Sequence, residues 1–91
     1  MLLLIRIKST SNPIIDALSG RFRILSSTDN TIVTNNKVIP SSIIICTIAK
    51  NSTLTRYYIV DAIASSGSFK VTINATPGIG EFVDINFLVI N

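Results

Sequence analysis

The pattern of apolar and polar side chains is most regular in the last third of the chain, where it predicts two β-strands. Between residues 69 and 75 every second side chain is apolar, and these four share one face: Phe69, Val71, Ile73 and Ala75. Residues 82–90 continue the alternation, with an inner face of Val83, Ile85, Phe87 and Val89. The outer face of this last strand begins polar but becomes apolar at Leu88 and Ile90, so we expect the strand to be covered on both faces.

Five earlier segments carry less regular strand patterns, separated by turns rich in Ser, Asn, Gly or Pro. They are residues 1–8, 21–25, 31–34, 42–50 and 54–64. In the last of them the alternation places Tyr57, Ile59 and Ile63 on one face. About seven short strands at this spacing predict an all-β fold, either an antiparallel β-sandwich or a jelly-roll-like barrel. Residues 1–91 form a single domain, with residues 20–91 as the core of the sandwich.

At most one short helix is predicted, near residues 13–19. Asn12 can cap a helical turn that has Pro13 at its first position and Gly20 just beyond its end. Ile14 and Leu18 would then help to close one end of the sandwich. The alternative for this segment is an irregular loop.

The most apolar segment, residues 42–50, carries aliphatic side chains on both faces. A series of β-branched isoleucines favours a strand, and two apolar faces predict a central position in a sheet. Together with the outward Leu88 and Ile90, this segment predicts that the chain is a homotrimer, because a few such side chains can anchor a stable interface. The predicted oligomer interface consists of Ile44, Ile48, Leu88 and Ile90.

The opening segment, residues 1–8, has two interpretations. Its apolar run is too short for a membrane span and lacks the basic start of a signal peptide, so we expect a strand. That strand either belongs to its own sandwich or serves as an arm that attaches to another subunit. In the second case Leu2, Leu4 and Ile5 form the attachment arm.

Composition favours a protein that is partly covered by neighbours. Hydrophobic residues make up 47% of the chain and charged residues only 14%, while Ser, Thr and Asn account for 28 of the 91 residues. A freely soluble monomer of this size usually carries more charge. The net charge is +3, but the basic residues are dispersed singly, so we expect neither a nucleic-acid partner nor a membrane partner.

The chain lacks the residue combinations that catalysis and metal binding require. It contains no histidine and one cysteine, Cys46, which lies in an apolar run as a small hydrophobic side chain. Of the five acidic residues only Glu81 and Asp84 are close in sequence, and on a strand they face opposite sides. We therefore expect a non-enzymatic protein with no catalytic residues, no cofactor and no metal site.

Residues 20–91 resemble a group of small bacteriophage virion proteins. The similarity lies in SGSFKVTINATPGIGEFVDINFLVIN (residues 66–91), SSIIICTIAKN (residues 41–51) and GRFRILSSTDNTIVTNNKVIPSS (residues 20–42). It is a similarity of strand spacing and turn placement. The resemblance implies a β-sandwich module of the virion, generally trimeric, that acts as a head decoration (cement) protein or as part of a head or tail fibre.

The resulting functional hypothesis is a trimeric capsid decoration protein that stabilises the phage head by binding across capsid subunits. Its partners would be two further copies of itself and the major capsid protein or another virion protein, on the outer surface of the capsid or on the tail. The alternative is a tail or fibre component that binds a carbohydrate receptor. Sugar binding usually requires an exposed aromatic ring, and Tyr57, Tyr58 and Phe82 are the candidates.

Overall fold

The computed structural model describes residues 13–51 and 56–91, which form six β-strands and no helix. The strands are β1 (Ser19–Leu25), β2 (Asn30–Thr34), β3 (Ile43–Asn51), β4 (Ile59–Ser65), β5 (Ser68–Ile73) and β6 (Phe82–Ile90). They build two antiparallel three-stranded sheets, as in a small β-sandwich, which confirms the predicted all-β class. The structure thus has six strands where the sequence predicted seven, and the additional one, residues 1–8, lies outside the described residues.

The two most regular strands occupy the centres of the two sheets. One sheet has the order β1-β6-β3 and the other has the order β2-β5-β4. A central strand is hydrogen-bonded along both edges, so its side chains are held in register by two neighbours. The alternation of β5 and β6 therefore determines which side chains of the whole domain face inward.

The core lies between the sheets and confirms the predicted inner faces of β5 and β6 except at Ala75, which is exposed because β5 ends at Ile73. Its buried hydrophobic residues are Phe22, Ile24, Val33, Val38, Tyr57, Phe69, Val71, Ile73, Val83, Ile85, Phe87 and Val89. The rings of Phe69 and Phe87 lie 5.0 Å apart between their centroids, and Phe22 contacts both rings at about 6 Å. Gly20 leaves room for this cluster, because a Cβ atom there would lie 3.0 Å from the Phe87 ring.

Strand β3 occupies a different position from the predicted one. It forms an edge of its sheet and pairs with β6, whereas the sequence predicted a central strand. Its inward side chains, Ile44, Cys46 and Ile48, are partly buried against the core, but Ile43 and Ile45 on the outer face are exposed. The second apolar face of β3 is therefore an exposed surface of the described domain.

Strand β4 contains an irregularity that changes the predicted face of its second half. Its register against β5 shifts between Ile59 and Asp61, as at a β-bulge. Ile59 packs against the core before the shift, and Ala62 packs against it afterwards, while Ile63 is exposed. The prediction that Ile59 and Ile63 share a face is wrong, because an inserted residue reverses the alternation.

The segment before β1 is extended and irregular, so the helix predicted near residues 13–19 is wrong and the loop alternative is correct. Ile14 forms a parallel bridge with Thr34, whose N–H donates to Pro13 O and whose carbonyl accepts from Ile15 N. The Asn35 side chain also donates to Ala17 O at 2.6 Å. The backbone groups that a helix would pair internally are thus bonded to β2 and to the turn that follows it.

We expect Phe69→Ala and Phe87→Ala each to lower the free energy of unfolding by about 3–5 kcal/mol, because each removes a buried ring and leaves a cavity. Lys70→Ala, at an exposed position between two buried residues, is the control and should change it by less than about 0.5 kcal/mol. Chemical denaturation of the three variants measures these differences. A larger effect for Lys70→Ala than for Phe69→Ala would contradict the inward assignment of β5.

Candidate interaction surface

The outer face of the β1-β6-β3 sheet carries a cluster of exposed aliphatic side chains at one end. We define the apolar patch as Ile43, Ile45, Leu88 and Ile90. Ile43 lies opposite Ile90, and Ile45 lies opposite Leu88, on adjacent antiparallel strands. Opposite residues have Cβ atoms about 5 Å apart, so the four side chains form two neighbouring apolar pairs. Each is between 42% and 59% exposed.

The patch arises because alternate side chains of β6 are buried in the core, which leaves the others on the outer face. Phe87 and Val89 face the core, so Leu88 and Ile90 must point outward. On β3 the register with β6 is regular from Ile43 to Ile48, and the shift occurs only after Ile48. The outward isoleucines of β3 are therefore held beside Leu88 and Ile90 by an undisturbed ladder.

The four residues of the interface predicted from the sequence do not share a face. Leu88 and Ile90 lie on the outer face, in the apolar patch. Ile44 and Ile48 instead face inward, where they lie opposite the buried Val89 and Ile85 and pack against the core. The predicted attachment arm, Leu2, Leu4 and Ile5, lies outside the described residues.

Sequence reasoning missed Ile43 and Ile45, which complete the patch. Both faces of β3 are apolar, so local alternation gives no sign of which face is buried. The signal lies in the pairing: Ile44 opposes Val89, which the sequence correctly predicts to be buried. Opposite residues in an antiparallel pair share a face, and Ile43 and Ile45 must then face outward.

Polar and basic side chains occupy the middle of the same face, and Leu25 and Phe82 lie opposite each other at its far end. Arg21 donates to the Asn86 side chain at 2.9 Å. Arg23 donates to both carboxylate oxygens of Asp84, at 2.7 and 3.1 Å, and its guanidinium lies 3.8 Å from the centroid of the Phe82 ring. The hydrogen bond to Asp84 raises the pKa of Arg23, and partial burial opposes that rise. Because the Arg23 side chain is 50% exposed, we expect the ion pair to contribute no more than about 1 kcal/mol.

The outer face of the other sheet differs from this one. Ile32 and Ile63 are exposed there, but both lie opposite Lys70 on the central strand. A lysine ammonium is strongly hydrated, and here it separates the two isoleucines. The apolar surface of this sheet is therefore interrupted, whereas the patch on β3 and β6 is continuous.

The described residues differ from those of a metal site, a membrane-spanning helix or a reactive thiol. No group of three or more His, Cys, Asp or Glu side chains in residues 13–51 and 56–91 is placed to hold a metal ion. Within the same ranges no helix has the length and apolar character that crossing a bilayer requires. Burial raises the pKa of the Cys46 thiol from 9.0 to about 11, so the thiol is protonated at neutral pH. A protonated thiol is a poor nucleophile.

The aromatic residues proposed for sugar stacking have different environments. Tyr57 is only 8% exposed and belongs to the core, while Phe82 is partly buried beneath Arg23. Tyr58 is 59% exposed, and its backbone N–H donates to the Asn74 side chain at 2.8 Å. Tyr58 is thus the one of these three rings that presents a large exposed surface.

Comparisons of the chain with protein-family models, with curated proteins and with solved structures give no match. The surface of the domain and the chemistry of its side chains therefore bear most directly on function. The apolar patch is a continuous feature of that surface that does not contribute to the core.

We expect Cys46 to react slowly with iodoacetamide in the folded protein. A rise in pKa from 9.0 to about 11 lowers the thiolate fraction at pH 8 by about 100-fold, and the thiolate is the reactive form. The alkylation rate of the native protein, followed by mass spectrometry, should therefore fall about 100-fold below that of the denatured chain. Equal rates in the two states would contradict the partly buried position of Cys46.

Proposed function

We propose that the protein is a non-enzymatic structural component of a bacteriophage virion, a homotrimeric decoration (cement) protein on the outer surface of the capsid. In this role it adds contacts across neighbouring subunits of the major capsid protein. The apolar patch on the outer face of β3 and β6 carries the proposal, because it is a surface suited to association. The resemblance of residues 20–91 to small virion proteins is the reason for proposing the phage capsid as the location and a trimer as the oligomeric state.

The patch supports self-association on energetic grounds. Burying a half-exposed aliphatic side chain stabilises a complex by about 1 kcal/mol, so the four together contribute about 4 kcal/mol at each contact. Association itself costs about 4–15 kcal/mol, and one such contact is not sufficient. In a closed ring of three copies the contact occurs three times, and each further contact forms within an assembly that already exists.

The distribution of charge on the same sheet face suits contact with a partner protein. The basic half of the same face, with Arg21, Arg23 and Lys50, carries one carboxylate, that of Asp84, which is already bonded to Arg23. This leaves a positive region beside the patch that can contact an acidic surface of a capsid protein. In this proposal the patch mediates self-association, and the basic region contacts the capsid protein.

A tail or fibre component that binds a carbohydrate receptor is the second candidate, and Tyr58 favours it. The exposed ring sits on a backbone that is fixed by Asn74, which both accepts from Tyr58 N and donates its own N–H to Tyr58 O. A fixed aromatic ring beside an amide is a common arrangement for stacking a sugar. Glycan binding that Tyr58→Ala abolishes would favour this function over capsid decoration.

We expect the wild-type protein at micromolar concentration to have three times the chain mass of 9.9 kDa by light scattering. Ile45→Asp places a charge in the centre of the patch and should shift the protein to the monomer mass, because the charge would lose its hydration in the interface. Ile63→Asp is the matched control, since Ile63 is also about half-exposed but lies on the other sheet, and it should leave the trimer intact.

A monomeric wild type, or equal effects of the two substitutions, would contradict self-association through the patch. A single-particle reconstruction of virions tests the location directly. Density for three copies on the outside of the capsid, placed over the joints between capsid subunits, is the expected result. Density on a tail or fibre would instead support the second candidate.

A further inference from the structure

The outer face of the β2-β5-β4 sheet carries an exposed aromatic ring beside a row of polar side chains. Tyr58, which is 59% exposed, lies just before β4 and pairs with Asn74, whose backbone N–H donates to Tyr58 O at 3.2 Å. Further along the sheet Asp61 lies opposite Thr72, and Thr72 lies opposite Asn30. We define the polar row as these last three residues, which lie on adjacent strands about 5 Å apart.

The irregularity in β4 brings Asp61 to the same face as Tyr58. On a regular strand, two side chains that are three residues apart face opposite sides of the sheet. Here Val60 is an additional residue between the paired positions Ile59 and Asp61, so the alternation reverses after it. Tyr58, Val60 and Asp61 are all exposed as a result. A β-bulge often redirects a side chain in this way beside a functional site.

The spacing between Tyr58 and Asp61 suits a single sugar ring. Their partners, Asn74 and Thr72, are two residues apart in the chain, which corresponds to about 7 Å along a strand. A pyranose has an apolar face of C–H groups, which packs against an aromatic ring, and hydroxyl groups around its rim. A pyranose stacked on Tyr58 therefore places hydroxyl groups over the polar row.

The polar row has hydrogen-bonding capacity that the described residues leave unused. Within residues 13–51 and 56–91 the Asp61 carboxylate forms no ion pair, and neither it nor the Thr72 hydroxyl bonds to another residue. A carboxylate only accepts hydrogen bonds, and a hydroxyl both donates and accepts. Bonds to a charged acceptor are about twice as strong as bonds between neutral groups. A fitting ligand therefore presents donors to Asp61, as sugar hydroxyls do.

The backbone that carries the Tyr58 ring is fixed by a neighbouring side chain. Asn74 Oδ1 accepts from Tyr58 N at 2.8 Å, and Asn74 Nδ2 donates to Arg56 O at 3.4 Å. Together with the backbone bond to Tyr58 O, these contacts hold the segment before β4 against the end of β5. A ligand that binds there pays less for ordering the protein than it would on a free loop.

The charges and rings on this face favour an uncharged ligand over a cation. Arg56 is exposed two residues before Tyr58, and Lys70 lies two residues from Thr72 on the central strand. Both side chains repel a cation that the carboxylate would attract. Quaternary ammonium groups are also usually enclosed by several aromatic rings. The other aromatic side chains of the described residues lie in the core or on the other sheet.

We infer that the outer face of the β2-β5-β4 sheet binds an uncharged saccharide, with one pyranose ring stacked on Tyr58 and its hydroxyls bonded to Asp61 and Thr72. This inference goes beyond the proposed capsid role. It rests on the sugar binding of the second candidate function, and it specifies the site and the ligand class. The site lies on the other sheet from the apolar patch and shares no residue with it.

NMR titration of the ¹⁵N-labelled full-length protein with the methyl pyranosides of glucose, galactose and mannose is the test. We expect at least one of them to bind with a millimolar Kd, because a ligand of this size gains a limited free energy per atom. The amide signals of Tyr58, Asp61 and Thr72 should shift most. Binding at other residues, or no saturable shift with any of the three sugars, would overturn the inference.

Four substitutions separate the contributions of the ring and the carboxylate. Tyr58→Ala and Asp61→Asn should each raise the Kd about tenfold or more, since each removes one half of the site. Tyr58→Phe keeps the stacking ring and should change the Kd by less than about threefold. Asp16→Asn is the matched control, because Asp16 is an exposed carboxylate near Asn36, and it should leave the Kd unchanged. Amide spectra of the variants confirm that each remains folded.

The failure of this inference is distinguishable from the failure of the proposed functions. A sugar that still binds Asp61→Asn but not Tyr58→Ala would overturn the two-part site and leave the second candidate function standing. If tetramethylammonium shifts the same signals and no sugar does, the site binds cations, and both the inference and the second candidate fail. The capsid role is decided independently, by the light-scattering experiment and the reconstruction of virions.

Discussion

The contact between Phe69 and Phe87 is the interaction on which the rest of the structure depends. The two rings lie 5.0 Å apart and come from the central strands of the two sheets. Each ring determines which face of its strand is buried. Because paired residues on adjacent strands share a face, each central strand then determines which face of its two neighbours is buried. The outward position of Leu88, and with it the whole patch, follows from the inward position of Phe87.

A sandwich with two three-stranded sheets has a small interior, and this limits its stability. A domain of this size buries little more than about 60% of the surface of its unfolded chain. In this protein four of the exposed aliphatic side chains, Ile43, Ile45, Leu88 and Ile90, are grouped on one sheet face. In the proposed trimer, burial of the patch would add stability to a small domain and so couple folding to assembly.

The sequence predicts the parts of this fold that depend on local alternation and misses those that depend on distant pairing. The inner faces of β5 and β6 are correct within the strands, because the period of two is uninterrupted there, whereas Ala75 lies beyond the end of β5 and is exposed. The residue inserted near Val60 has no local signal, and the helix at residues 13–19 is displaced by bonds to Thr34, which is distant in sequence. For the same reason only half of the residues predicted for the interface face outward: Leu88 lies on a regular strand, but the burial of Ile44 is decided by its pairing with β6.

Lys70 has a consequence for the size of the assembly. Stacked sheets grow into filaments when a subunit is adhesive on both faces, since each added subunit then presents a fresh face to the next. In this domain the β2-β5-β4 face carries Lys70 between Ile32 and Ile63, and a second subunit could approach it only by stripping water from the ammonium group. In the proposed trimer the patch would promote association and the hydrated Lys70 would oppose it on the other face, which favours a defined copy number over an open polymer.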